Sequence, residues 1–230
     1  MTKIFCDIAD KILVKSFNKK TIVKGFTTNP SLIRKAGAKN YKSYCLELLK
    51  ITNKPISFEV FADNEKDMIS QGLKISSWGN NVFVKVPVSN SKGKFMGKVI
   101  KKLNKKNIKL NITAVYTSKQ TRQILKEINK KTKVIISIFA GRMADAGIDP
   151  IPEFYKSIKL SKKFKNVEIL WASTREPYNY IQAKRLKCHI ITMPPSIIQK
   201  IENFGKTTQM LTIDTVKAFL NDSKKSKFSI

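Results

Sequence analysis

The sequence predicts an α/β fold, a (β/α)8 TIM barrel with an additional C-terminal helix, and three observations predict it. Eight short runs are near-continuously apolar, as strands buried on both faces of a parallel sheet must be. The stretches between them carry apolar residues at helical spacing with lysine on the other face. The chain has 230 residues, which suits eight such units, because parallel strands need helical crossovers and barrels of this kind take about 250 residues. A doubly wound open sheet is the alternative for the same alternation.

In chain order, the first run is IFCDIA from Ile4, with Asp7 inside it, and the second is TIVKGFTT from Thr21, which ends on Thr27 and Thr28 ahead of Asn29. PISFEVFA from Pro55 carries Glu59, and the helical stretch EKDMISQGLKISSW follows from Glu65. NVFVKVPV from Asn81 carries Lys85, and IKLNITAVY from Ile108 carries Asn111 and Thr113 before the helical SKQTRQILKEINKK from Ser118. KVIISIFAG from Lys133 holds Ser137, EILWAST from Glu168 ends near Ser173, and HIITMP from His189 reads its histidine as a buried strand residue. Pro and Gly are scattered without a Pro- or Gly-rich stretch, so residues 1–230 form one domain by this reading. After the eighth unit, Thr212 opens a capped helix of about 212–222 that packs on the barrel or on a neighbouring subunit, and the Lys-Ser tail beyond it is frayed.

Composition excludes several chemistries. With 42% hydrophobic and 27% charged residues the chain is globular. Lys plus Arg number 45 against 16 acids, a formal charge of +29, which must be weighed as a nucleic-acid signal. Only five of these cations are arginine, the residue that base readout and bidentate phosphate contact favour, so a lysine-biased composition explains the charge and nucleic acid is not the expected partner. One histidine cannot build a multi-histidine metal site, and Cys6, Cys45 and Cys188 are an odd, widely spaced set without CxxC. That cysteine usage suits a reducing, cytoplasmic setting. No uncharged apolar run approaches the roughly 20 residues needed to span a bilayer, so no membrane is expected.

In such a barrel, chemistry sits at the carboxyl ends of the strands. The polar residues of the apolar runs collect there: Asp7, Thr28, Asn29, Glu59, Lys85, Asn111, Thr113, Ser137 and Ser173. Ser137 or Thr113 alone would be satisfied core groups. Lys85 is different, because it stands between Val84 and Val86 in the middle of a central strand, where an unpaired charge costs several kcal/mol. Burial lowers a lysine's pKa and frees its lone pair, making it a nucleophile for ketones. Asp7 and Glu59 supply carboxylates, and Thr113 can hold a water.

FCDIAD, GFTTNPSLI, SFEV, FVKVPV, LNITAVYTSKQ, SIFAGR, WASTREP and IITMP together resemble, in this order, the motifs of the transaldolase family, in particular its small-subunit branch that includes fructose-6-phosphate aldolases. The resemblance implies that Lys85 is the Schiff-base lysine, Asp7 the acid/base at the substrate's C4 hydroxyl, and Glu59 with Thr113 the pair that positions a catalytic water. It assigns Asn29 and Asn111 to the dihydroxyacetone portion, lines the pocket with Thr28 and Ser137, and anchors the sugar phosphate on Arg142, Ser173 and Arg175. Those two arginines also fall just beyond strands 6 and 7, where a planar fork can grip phosphate, against the plainer reading of an Arg175–Glu176 surface pair. The implied reaction is a dihydroxyacetone transfer between sugar phosphates with no metal and no cofactor, since the imine itself is the electron sink. It implies too a homo-oligomer, a decamer in its specific form, joined through the last helix.

Ile8, Ile138, Trp171 and Glu176 depart from the family pattern, and as sequence they read as pocket-rim changes. The rival enzyme reading is an aldolase that releases dihydroxyacetone. By resemblance those enzymes carry Gln at the position of Glu59 and Tyr at that of Phe139, so both residues here side with transfer.

Overall fold

The computed structural model describes residues 1–226. Eight parallel strands close into a barrel in chain order: β1 (Lys3–Asp7), β2 (Val23–Thr27), β3 (Ile56–Glu59), β4 (Val82–Pro87), β5 (Leu110–Val115), β6 (Val134–Phe139), β7 (Val167–Ala172) and β8 (Ile190–Met193), with β8 pairing back onto β1. Between and after them run α1 (Lys11–Lys19), α2 (Pro30–Lys35), α3 (Tyr41–Ile51), α4 (Glu65–Ser76), α5 (Gly97–Lys105), α6 (Ser118–Glu127), α7 (Ala140–Asp145), α8 (Ile151–Ser161), α9 (Tyr178–Arg185), α10 (Pro195–Glu202) and α11 (Thr208–Ser226). The barrel, rather than the open sheet, is the fold. The simple alternation needs one amendment, because the crossovers after β2 and β6 each hold two helices.

Alternation along the strands sorts side chains into two cores. Outward residues such as Phe26, Phe58, Val84, Ile136, Ile138 and Trp171 pack beneath the helices. Inward ones make layers. Lys3, Lys24, Lys109, Lys133 and Glu168 ring the amino end; Phe5, Phe83, Ile135, Leu170 and Ile190 fill the middle as an apolar plug; the polar residues of the strand ends sit above it. Phe5 fits inside only because Gly25 faces it, where a Cβ would lie 2.6 Å from the ring.

The helices start where the side chains allow. Asp10, Asn29, Asn40, Asn64 and Thr117 each accept a backbone N–H of the first turn, satisfying a donor the helix cannot. The last helix begins one turn earlier than expected. Thr207 accepts from Met210 N, whereas Thr212 spends its hydroxyl on the Thr208 carbonyl inside the helix. Every residue from Glu202 to Ser226 is exposed, so α11 buries no face on this barrel. The expected frayed tail is helical through Ser226; residues 227–230 lie outside the described residues. His189 is half-buried just ahead of β8 rather than within it, and its Nδ1 accepts from Ile169 N at 3.1 Å. Among the described residues no helix is long and apolar enough to cross a membrane.

Candidate active site at the carboxyl end of the barrel

A cavity of about 440 Å³ opens at the carboxyl ends of the strands. Asp7, Asn29, Lys85, Asn111, Thr113, Ser137, Arg142, Ser173 and Arg175 line it; Glu59 and Thr28 stand behind the wall, each in contact with Lys85. All the expected residues are therefore at one mouth.

β4 presents Lys85 inward from a strand whose neighbours Val84 and Val86 face the helices, and the residue is 7% exposed. Its Nζ lies 3.0 Å from Glu59 Oε2 and donates to the Thr28 carbonyl at 3.0 Å. A buried ammonium is tolerable here because both partners are close. Glu59 is held in turn by Tyr41, whose hydroxyl accepts from Glu59 N at 3.0 Å and donates to Glu59 O at 2.9 Å. Burial drives the Tyr41 phenol far above its usual range, so it stays a neutral donor.

Asp7 sits across the barrel mouth. Thr27, its register partner on β2, donates to Asp7 Oδ1 at 2.6 Å and is linked to Thr192 Oγ1 at 2.5 Å. Burial raises the Asp7 pKa above the ordinary carboxylate value, while the Lys85 charge and the Thr27 hydrogen bond oppose that rise. The result is a carboxylate whose proton affinity is set by its surroundings, as a general base requires.

Between them, Ser137 Oγ donates to Asn111 Oδ1 at 2.7 Å and Asn111 Nδ2 donates to Ser57 Oγ at 3.0 Å, which fixes the Asn111 amide. Thr113 Oγ1 is buried, borders the cavity and has no protein partner, just before Ala114 takes a left-handed φ of 57° at an irregularity of β5. Asn29 is tied down differently from its expected role: its side-chain oxygen caps α2 by accepting from Leu32 N at 2.9 Å, which leaves the amide nitrogen of that side chain for a ligand.

The arginines meet where α7 touches the end of β7. Gly141 permits that approach, since a Cβ there would lie 1.7 Å from the Ser173 carbonyl oxygen. Ser173 itself has a left-handed φ of 62°, an uncommon conformation for a residue other than glycine. Arg175 is not paired with Glu176. Asp145 takes it instead, accepting from Nε through both oxygens at 3.1 Å and from Nη2, and the guanidinium holds the Asp145 carboxyl below its usual range. The pocket-rim reading of the departures also needs correction, because Ile138 and Trp171 face the helix layer. Trp171 stacks on Phe154 at 4.5 Å between ring centroids, and its indole nitrogen is buried without a partner, for which nothing in the structure gives a reason.

Sequence reasoning missed Thr192, Tyr41, Lys35 and Asp145. Thr192 was legible from inward parity on β8; Lys35 lines the cavity from the end of α2, and neither it nor the tertiary partners Tyr41 and Asp145 had a local signal.

The model of the family described as Transaldolase/Fructose-6-phosphate aldolase matches residues 4–230. A probable transaldolase of Nitrosopumilus maritimus is 31% identical over 227 residues, covering 98% of this chain and 96% of its own. One of Thermoplasma volcanium is 33% identical, at 97% and 96% coverage. Among solved structures, a 2-keto 3-deoxygluconate aldolase from Picrophilus torridus superposes with a TM-score of 0.63 at 12% identity, over 100% of this chain and 89% of that one, a likeness of fold alone.

Proposed function

Because the chain belongs to the transaldolase/fructose-6-phosphate aldolase family, we propose that it is a transaldolase that carries a dihydroxyacetone unit between sugar phosphates on Lys85. One observation carries the reading: a buried barrel lysine 3.0 Å from a carboxylate, on a cavity that a second carboxylate also lines. Transfer of the Lys85 proton to Glu59 leaves a neutral amine, which attacks the C2 carbonyl of a ketose phosphate. Water leaves and the imine forms. Asp7 takes the proton of the C4 hydroxyl as C3–C4 breaks, the bonding pair moves into the imine to give an enamine, and an aldose phosphate departs.

The three-carbon enamine waits for an acceptor aldehyde, and the reverse steps, ending in hydrolysis, free the new ketose phosphate. Thr113, with its unpartnered hydroxyl beside the cavity, positions the water of that hydrolysis together with Glu59. Asn29 and Asn111 hold the dihydroxyacetone oxygens, with Thr28 and Ser137 fixing Lys85 and Asn111, and Arg142, Ser173 and Arg175 receive the phosphate. The expected exchange is sedoheptulose 7-phosphate with glyceraldehyde 3-phosphate against fructose 6-phosphate with erythrose 4-phosphate, carried out in the cytoplasm by a homo-oligomer.

Borohydride reduction in the presence of fructose 6-phosphate, followed by peptide mapping, tests the assignment. Lys85 should carry the label, and Lys85→Ala should lose both label and turnover. A label on another lysine overturns it.

A further inference from the structure

Another cavity, about 700 Å³, lies at the opposite end of the barrel, where the chain enters the strands. Lys3, Lys24, Lys109 and Lys133 line it, and Phe5, Phe83 and Ile135 form its floor. We propose that this amino-end mouth is a second anion site, built for a compact ligand carrying several phosphate groups, such as the polyphosphate chain of a nucleotide or free polyphosphate.

Composition alone does not explain the ring. A lysine-biased chain puts its lysines on solvated helix faces, and helix macrodipoles favour cations at helix C-termini. Lys3 opens β1, and Lys109 and Lys133 immediately precede β5 and β6; each lies two residues before an inward-facing side chain, Phe5, Asn111 and Ile135 respectively. The charge is also segregated between the two ends. The segments that enter strands β2–β8 (residues 19–24, 52–56, 77–82, 105–110, 129–134, 162–168 and 185–190) hold fifteen Lys and Arg against the single acid Glu168. The loops that leave the strands (8–10, 28–29, 60–64, 88–96, 116–117 and 173–177) hold three cations against three acids.

Glu168 is already engaged, accepting from Lys3 Nζ at 2.7 Å, so it offsets one lysine of the four. Lys109 is braced by the Asn80 carbonyl with its ammonium 5.9 Å from the centre of the Phe83 ring. Nearby, burial lowers the pKa of Lys54, and the charge of Lys24 lowers it further, so cations crowd each other at this end. Like charges converging on a concave, apolar-floored cavity focus an anion there, and several phosphates satisfy several ammoniums at once. The plug separates this ligand from the catalytic mouth.

Titration calorimetry with inorganic tripolyphosphate tests the site, using the full chain and its Lys24→Gln/Lys133→Gln variant, with Lys15→Gln/Lys119→Gln as a control that removes equal charge from exposed helix positions outside the amino-end segments. Binding at one per subunit that persists in Arg175→Ala is expected, weakened about tenfold or more in the mouth variant, a factor worth 1.4 kcal/mol, and much less in the control. Glu168→Gln should tighten it. ATP binding equal to tripolyphosphate would identify the phosphates as the whole determinant, and tighter ATP binding would add the base on the apolar floor; both support the site. Absence of tripolyphosphate binding, equal losses in mouth and control variants, or loss in Arg175→Ala overturns it.

Discussion

At the scale of single residues, the site is a set of charges held away from their ordinary values by specific neighbours. Asp7 is the clearest. Its folded pKa is raised by burial, so the protonated form is stabilised by folding, and that stability is present below the ordinary Asp value of 3.8 and lost as pH rises through the raised folded value. Asp7→Asn should therefore gain melting temperature over the parent as pH rises across that window, while transfer falls by about 10²–10⁴; thermal melts from pH 4 to 8 beside a coupled assay check both. Arg175 is the second case. Its guanidinium is occupied by Asp145, which an arriving phosphate has to displace. Arg142→Ala and Arg175→Ala should raise KM for phosphorylated ketoses by tens- to about a hundredfold, at roughly 1.5–3 kcal/mol per charge-assisted contact. Asp145→Asn should lower it about two- to fivefold, the scale of an exposed ion pair. Equal KM values for unphosphorylated sugar in all three variants would tie the effect to the phosphate. Phe139, which lines the cavity 6.0 Å from Tyr116, brings no hydroxyl to the enamine. Phe139→Tyr should raise dihydroxyacetone release relative to transfer, and a parent that releases faster than it transfers would make the aldolase reading the right one.

At the scale of elements, what the sequence revealed depended on how local the signal was. The eight strands were legible because each is short, apolar and β-rich, and the polar residues that interrupt them, Asp7, Lys85 and Asn111 among them, were expected together because barrel chemistry collects at the carboxyl ends of the strands. Helix starts were harder, since Thr207 and Thr212 are equally good caps and only the hydrogen bonds separate them. Nearness to the site in sequence misled at the rim where parity would not have: Ile138 and Trp171 lie one residue from inward positions and so face the helices. The last helix carries a prediction. Met210, Ile213, Val216 and Leu220 recur at helical spacing, and they and Phe219 are about half exposed or more. We expect this stripe to be covered by a second copy of the chain, so sedimentation should show a homo-oligomer, a decamer as the specific form, and Ile213→Asp with Leu220→Asp should reduce its mass. A monomer at physiological salt would refute the interface.

At the scale of the whole molecule, the charge of +29 looked from the sequence like a uniform coat, yet the fold sorts it toward one end of the barrel. That sorting was illegible in one dimension because it depends on which loops gather at which end. The closure of β1 against β8 has a further consequence, for synthesis. Lys3 pairs with Ile190, so β1 has one flank that its barrel partner cannot cover until β8 has left the ribosome. At about 5–20 residues per second that wait lasts roughly 10–40 s. Any sheet that forms in that time has β1 as an open edge, with the apolar run IFC on it. During synthesis ring closure can come only after β8 has emerged, and the long-range pairing that completes the barrel is the step at which slow growth, crowding or a missing chaperone would be felt.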